Sequence, residues 1–226
     1  RVEKNEGIRY PTPEEALQRL KEEGCTRVAL VSLDIIPGIE YAYKREVFDE
    51  CKTWFQRMTL GTPLVYWQGQ EEKRDDVAEV MAAVARELPA RAEDEAVLLM
   101  AHGTPHPANA YYAVMQERLE NLGEERVCIY TVEGRPNLDD VVPKLKEAGI
   151  RKVTLAPLML VAGDHATNDM AGDEPDSHKS LLEREGFCVQ TILKGIGENA
   201  AVRKIFAARA AEAYEALLDA AESKRF

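Results

Sequence analysis

Four short apolar runs recur at nearly one spacing in the second half of the chain, with helical stretches between them. They are Ala96-Val-Leu-Leu-Met-Ala101, Arg126-Val-Cys-Ile-Tyr-Thr-Val132, Arg151-Lys-Val-Thr-Leu-Ala-Pro-Leu158 and Phe187-Cys-Val-Gln-Thr-Ile-Leu193. Apolar runs without polar alternation are buried on both faces, and alternation with helices makes such strands parallel. The intervening helices are expected from Pro107 to Leu122, from an Asn137 cap to Ala148, from Asp176 to Glu185 and from Asn199 to Ala221. The chain is therefore expected to be α/β, with parallel sheets covered by helices.

The first half carries the same signals less regularly. Thr12-Pro-Glu-Glu15 combines an N-cap, a proline at the first helical position and a glutamate at capping-box spacing. A strand is expected at Arg27–Leu33, a helix from Glu40 to Met58, a strand at Pro63–Trp67 and a helix from Glu71 to Leu88. The polar stretch Pro89–Glu95 suggests a boundary between a lobe of residues 1–95 and a lobe of residues 96–226. A shift of 125 lays Leu20, Lys21, Glu22, Gly24, Val28, Leu30, Leu33 and Gly38 over identical residues from Leu145 to Gly163. Two similar lobes follow from that match. The first lobe then lacks the opening strand–helix unit that the second has. The chain opens at Arg1 rather than Met, which leaves room for an upstream segment.

Composition excludes several function classes. A net charge of −11 argues against nucleic-acid binding, which needs a basic face. No apolar run has the roughly 18 residues of a membrane span, and no signal peptide is visible. Cys25, Cys51, Cys128 and Cys188 form no C-x-x-C pair, so reduced thiols and a cytoplasmic setting are expected. Cys25, Cys128 and Cys188 sit at strands and read as small buried hydrophobes.

Chemistry gathers where strands end. His102, Glu133 and His165 each follow an apolar run, 31 and 32 residues apart, which is one βαβ period each. Parallel strands about 4.8 Å apart bring side chains from adjacent carboxyl ends within reach of one ion. Two imidazoles and a carboxylate suit a borderline divalent metal such as Co, Ni, Fe or Zn, with positions left open for substrate. Each of these residues taken alone also fits an ordinary loop role. His106 follows His102 by four residues without a regular helix, and His178 is expected at the surface in a first helical turn. Asp169, Asp173 and Glu174 either gather hydrated cations or solvate their loop. Tyr111 and Tyr112 either line a pocket or pack the core. Gly195-Ile-Gly197 is a weak candidate for an anion site at a helix start.

At these residues the chain resembles a known family. His102-Gly-Thr-Pro-His-Pro-Ala-Asn109, Thr131-Val-Glu-Gly-Arg-Pro136 and Gly163-Asp-His-Ala-Thr-Asn-Asp-Met-Ala-Gly-Asp173 are similar to segments of the anaerobic sirohydrochlorin cobaltochelatases of the CbiK type, which are class II chelatases. The resemblance implies two Rossmann-like lobes around a tetrapyrrole cleft. It implies ATP-independent insertion of Co²⁺ into sirohydrochlorin in anaerobic cobalamin biosynthesis, with no nucleotide. Fe²⁺ insertion toward siroheme, Ni²⁺ as the metal, and a non-catalytic metal or tetrapyrrole carrier are the alternatives. The implied metal ligands are His102, Glu133 and His165. The catalytic pair is His102 and His165, with His102 as base because it follows the strand expected at the centre. Arg135 is the candidate partner for substrate carboxylates. The family tends to assemble, which implies a homo-oligomer. Family members often carry a histidine where this chain has Asp34, and a tryptophan where it has His178.

Overall fold

The computed structural model describes residues 7–222. Every strand pair in it is parallel, as the apolar runs predict. The elements in order are α1 (Pro13–Glu22), β1 (Arg27–Leu30), α2 (Ile39–Cys51), β2 (Arg57–Leu60), α3 (Asp76–Ala85), β3 (Glu95–Ala101), α4 (Tyr111–Asn121), β4 (Val127–Thr131), α5 (Leu138–Glu147), β5 (Lys152–Pro157), α6 (His178–Arg184), β6 (Cys188–Thr191) and α7 (Ala200–Glu222). A π-helical turn, His165–Met170, follows β5. No helix is long and apolar enough to cross a membrane among the described residues.

The larger sheet has the order β4-β3-β5-β6. The chain steps from β3 to one side and then, through α5, to the other. The carboxyl ends of β3 and β5 therefore flank a topological switch point, where open α/β sheets leave a crevice. β3 is buried on both faces. Ala96, Leu98 and Met100 pack with Leu138, Val141 and Leu145 of α5, Leu182 of α6, and Ala166 and Met170 of the π-turn. Val97, Leu99 and Ala101 face α3, α4 and the start of α7. Each such leucine contributes about 1.5–3 kcal/mol by leaving water, so the strand carrying His102 is firmly held.

β4 is an edge strand, and Gln116 of α4 occupies its open backbone. The Gln116 amide donates to Val127 O at 2.9 Å, and its oxygen accepts from Ile129 N at 2.8 Å. A side chain thus stands where a neighbouring strand would pair.

The first half forms a two-stranded sheet, β1-β2. One face buries Leu17, Val47, Cys51 and Phe55 from α1, α2 and the segment before β2. The other face meets α7, where Thr59 Oγ1 donates to Ala213 O at 2.6 Å. α1 carries the expected Thr12–Glu15 capping box. Shifted by 125, its bounds land on those of α5, so the repeat is structural at this helix.

Several boundaries differ from the sequence reading. The helix expected to reach Met58 ends at Cys51, and β2 begins at Arg57. Val47, Cys51, Phe55 and Met58 are spaced as a helical stripe, but they belong to one core reached from a helix and then a strand. Pro63–Trp67 is not a strand. Leu64 and Val65 donate to Asp34 O and Ile35 O, whereas Tyr66 and Trp67 donate to the Asp76 carboxylate. The helix expected from Glu71 starts at Asp76, because the Asp75 side chain caps Ala78 N at 2.9 Å. Cys188 is exposed and Cys25 and Cys128 half-buried; only Cys51 is buried.

Candidate metal centre

The loops after β3 and β4 are stitched together through their backbones. Val132 N donates to Ala101 O at 3.0 Å, and Glu133 N donates to His102 O at 2.8 Å. Strand-like pairing thus continues past the sheet and sets His102 beside Glu133. Gly103 then turns the chain at φ +82°, where a Cβ would lie 2.7 Å from Gly134 N. A Cβ on Gly134 would lie 2.4 Å from Asn109 Oδ1. That oxygen accepts from Thr104 N at 3.2 Å, while Asn109 Nδ2 donates to Arg135 O at 2.7 Å. Both glycines are therefore required for the two loops to close on each other.

β5 supplies the third side chain. Its chain leaves the sheet at Leu158, whose N–H still donates to Met100 O at 2.7 Å. Ala166 and Met170 of the π-turn are fully buried, which pins the turn to the sheet face. His165 is left pointing outward. π-turns of this kind concentrate at functional sites.

His102, Glu133 and His165 come together at the switch point. Each offers one ligand atom within 4.8 Å of the others. His102 Nε2 lies 4.0 Å from Glu133 Oε1, and the imidazole centroids are 5.0 Å apart at 68°. Each ring has Nδ1 held: His102 against Gly103 O at 3.1 Å, His165 against Asp169 Oδ2 at 2.5 Å. Nε2 of each ring is then free to face an ion. Side-chain exposures of 42%, 54% and 36% leave the trio open to a ligand. A cleft of ≈ 260 Å³ adjoins it, lined by His102, Tyr112 and Leu158 on one side and Asp34, Ile36 and Glu40 on the other.

The remaining candidates take structural places. His106 accepts from Ala108 N through Nδ1 at 3.1 Å and caps a 3-10 turn, away from the trio. His178 is in a first helical turn but is not at the surface as expected. It is half-buried, with Nδ1 2.9 Å from the hydroxyl of the fully buried Tyr130, and burial lowers its pKa. Asp173 pairs with Lys179 at 2.9 Å. Tyr112 lines the cleft, and burial raises its phenol pKa; Tyr111 donates to Tyr66 O at 2.7 Å. Gly195-Ile196-Gly197 holds no anion cradle: Ile196 N and Gly197 N donate to Met159 O and Leu160 O, and both glycines abut the Leu160 carbonyl. Arg135 has one nitrogen on Asp140 at 2.5 Å and is otherwise exposed. Asp169, read from the sequence as a cation-gathering or loop-solvating carboxylate, instead meets His165 Nδ1. Its spacing of four from His165 was the available signal.

The profile of the cobalt chelatase (CbiK) family matches residues 1–215. The sirohydrochlorin cobaltochelatase of Salmonella typhimurium is 36% identical over 208 residues, which are 92% of this chain and 76% of that protein. The chain belongs to the CbiK family. A second relative, the sirohydrochlorin cobaltochelatase CbiKC of Nitratidesulfovibrio vulgaris, is 39% identical over 81% of this chain and 64% of its own length. Among solved structures, SirB of Bacillus subtilis with Fe³⁺ superposes with a TM-score of 0.64 at 18% identity, covering 91% of this chain and 78% of SirB. That likeness is one of fold, and it matches the parallel α/β architecture found here.

Proposed function

We propose that this member of the CbiK family inserts Co²⁺ into sirohydrochlorin without ATP. The observation that carries the reading is the convergence of two imidazoles and one carboxylate at the switch point, on the three loops that bear the family-like segments. The reaction replaces two pyrrole N–H protons of the ring with one divalent cation. His102, Glu133 and His165 strip water from Co²⁺ and hold it beside the cleft. His102 directly follows β3, the strand between β4 and β5; its Nε2, released as the metal passes to the ring, takes one of the two protons, and the Glu133 carboxylate takes the other. Glu133 adds the negative charge that favours a cation. In this reading residues 1–95 and 96–226 are the two jaws of the cleft, and α7 reaches back from the second to brace the first. The ring enters between the Asp34–Glu40 loop and Tyr112. Arg135 keeps nitrogens exposed beside Glu133 for a substrate carboxylate. The four unpaired thiols fit a reducing cytoplasm, and the family resemblance implies that copies of the chain assemble with one another.

The test is anaerobic incubation with sirohydrochlorin and Co²⁺, followed by visible absorbance. The expected result is many turnovers per chain with no nucleotide, and faster insertion of Co²⁺ than of Fe²⁺ or Ni²⁺. Conversion that stops at one ring per chain contradicts the enzyme and identifies a carrier.

A further inference from the structure

We infer that Asp169 is a positioning residue that fixes the tautomer and plane of His165, so that its Nε2 lone pair faces His102 and Glu133. The inference rests on the metal-site reading above. His165 Nδ1 lies 2.5 Å from Asp169 Oδ2. An ionised carboxylate only accepts hydrogen bonds, so Nδ1 carries the proton, and in the neutral ring Nε2 then carries the lone pair. A ring without this partner samples both tautomers, and one of them aims an N–H at the metal.

The geometry makes Asp169 a fixed acceptor. It lies four residues from His165 on one π-helical turn whose inward residues, Ala166 and Met170, are fully buried. Gly172 lets the chain leave that turn tightly, since a Cβ there would meet Asn168 O at 2.4 Å. The neighbouring polar side chains are engaged elsewhere: Asn168 Nδ2 donates to Asp164 Oδ1 at 2.9 Å, and Thr167 Oγ1 to Gly163 O at 3.2 Å. His102 has the same arrangement, but its Nδ1 acceptor is the backbone oxygen of Gly103. Of the two imidazoles, His165 is the one whose Nδ1 is held by a side chain among the described residues, so a substitution can act on that contact directly. Carboxylate partners of metal-binding histidines act in this way generally, and their loss weakens metal affinity.

The test uses the full chain and Co²⁺ alone. Asp169→Asn keeps the shape, but its amide can donate to Nδ1 and stabilise the Nε2–H form. The expected result is a fall in Co²⁺ affinity of about 10–100-fold by calorimetry. The ¹⁵N imidazole spectrum of the metal-free variant should show His165 changed to the Nε2–H tautomer while His102 keeps Nδ1–H. Asp169→Glu, which retains the carboxylate, should keep the parent tautomer and recover affinity. Should the Asn variant lose its fold, a changed tautomer in the Glu variant overturns the inference. An unchanged His165 tautomer and unchanged affinity in Asp169→Asn also overturn it. His165→Ala separates the two levels. If that variant binds Co²⁺ as tightly as the parent, the metal-site reading itself fails. If it loses Co²⁺ while Asp169→Asn does not, only the positioning role fails.

Discussion

His102→Ala is expected to lower kcat/KM for Co²⁺ insertion by about 10²–10⁴-fold, the usual worth of a positioned acid–base group. That corresponds to about 3–5 kcal/mol of transition-state stabilisation. The effect is expected to be large because, in the proposed reading, His102 serves twice, as a ligand and as the base nearest the cleft. It directly follows β3, which lies between the strands that lead to its partners, and its own carbonyl anchors Glu133 N. The imidazole is solvent-accessible, so its removal leaves no cavity in the core. The thermal midpoint of the variant should stay near that of the parent while turnover, measured by steady-state absorbance, collapses. Parent-like turnover in His102→Ala would refute its role as base.

The largest effect on stability is expected far from the site. The Asp76 carboxylate is fully buried and serves four donors. Tyr66 N and Trp67 N donate to Oδ2 at 3.0 and 2.8 Å, and Arg74 and the buried Arg209 both reach Oδ1. This network joins α3 to α7 and holds the Pro63–Trp67 segment. Asp76→Ala takes from the buried Arg209 guanidinium its one fully buried counter-ion and leaves it the partly exposed carboxylates of Glu79 and Glu212, at 3.4 and 3.1 Å, beside an Nε that has no partner among the described residues. Removing one member of such a pair costs about 3–5 kcal/mol. For a chain of this size that lowers Tm by roughly 6–20 °C, read by calorimetry or circular dichroism. Replacing Asp76 and Arg209 together by apolar residues should restore part of the loss, because no unpaired charge then remains buried. A Tm of Asp76→Ala within error of the parent would show that the network contributes little.

How much of this was legible in the sequence depended on how local the determinant was. The strands before His102, Glu133 and His165 could be read because a parallel strand buried on both faces leaves an unbroken apolar run. The regular βαβ period then placed His102 and Glu133 just past neighbouring carboxyl ends, whereas His165 reaches the site from a π-helical turn eight residues beyond the end of β5. The first half was less legible because Val47, Cys51, Phe55 and Met58 imitate one helix while sharing a core across two elements. Pairings distant along the chain were invisible. Nothing local marks Asp76 as the partner of Arg209, or His178 as the neighbour of Tyr130. His178 looked superficial because the first turn of a helix is often wet. Tyr130 points its hydroxyl toward that turn from a buried strand, and this contact covers the imidazole. Asp169 is intermediate: its spacing from His165 was visible, but only the fold turns its carboxylate onto Nδ1.

The acidity of the molecule bears on substrate choice as well as on the metal. Asp34 holds Lys44 Nζ at 2.8 Å on the cleft wall facing His102. A cation available to a polycarboxylate ring is thus tied to an internal partner. Glu40 on the same wall occupies the repeat position of His165. The first-half loop therefore presents carboxylates where the second half presents an imidazole. In the proposed reading the metal ligands lie on one side of the cleft and the ring meets the other.

The central claim is that His102, Glu133 and His165 together hold the metal to be inserted. X-ray absorption at the cobalt edge of the Co²⁺-loaded chain, without tetrapyrrole, tests it most directly. The account predicts scattering from two imidazoles and one carboxylate at about 2.0–2.2 Å, with the remaining positions filled by water. It also predicts loss of the imidazole signal in a variant carrying His102→Ala and His165→Ala together. A parent spectrum of oxygen ligands alone, or an imidazole signal that survives the double substitution, would contradict it.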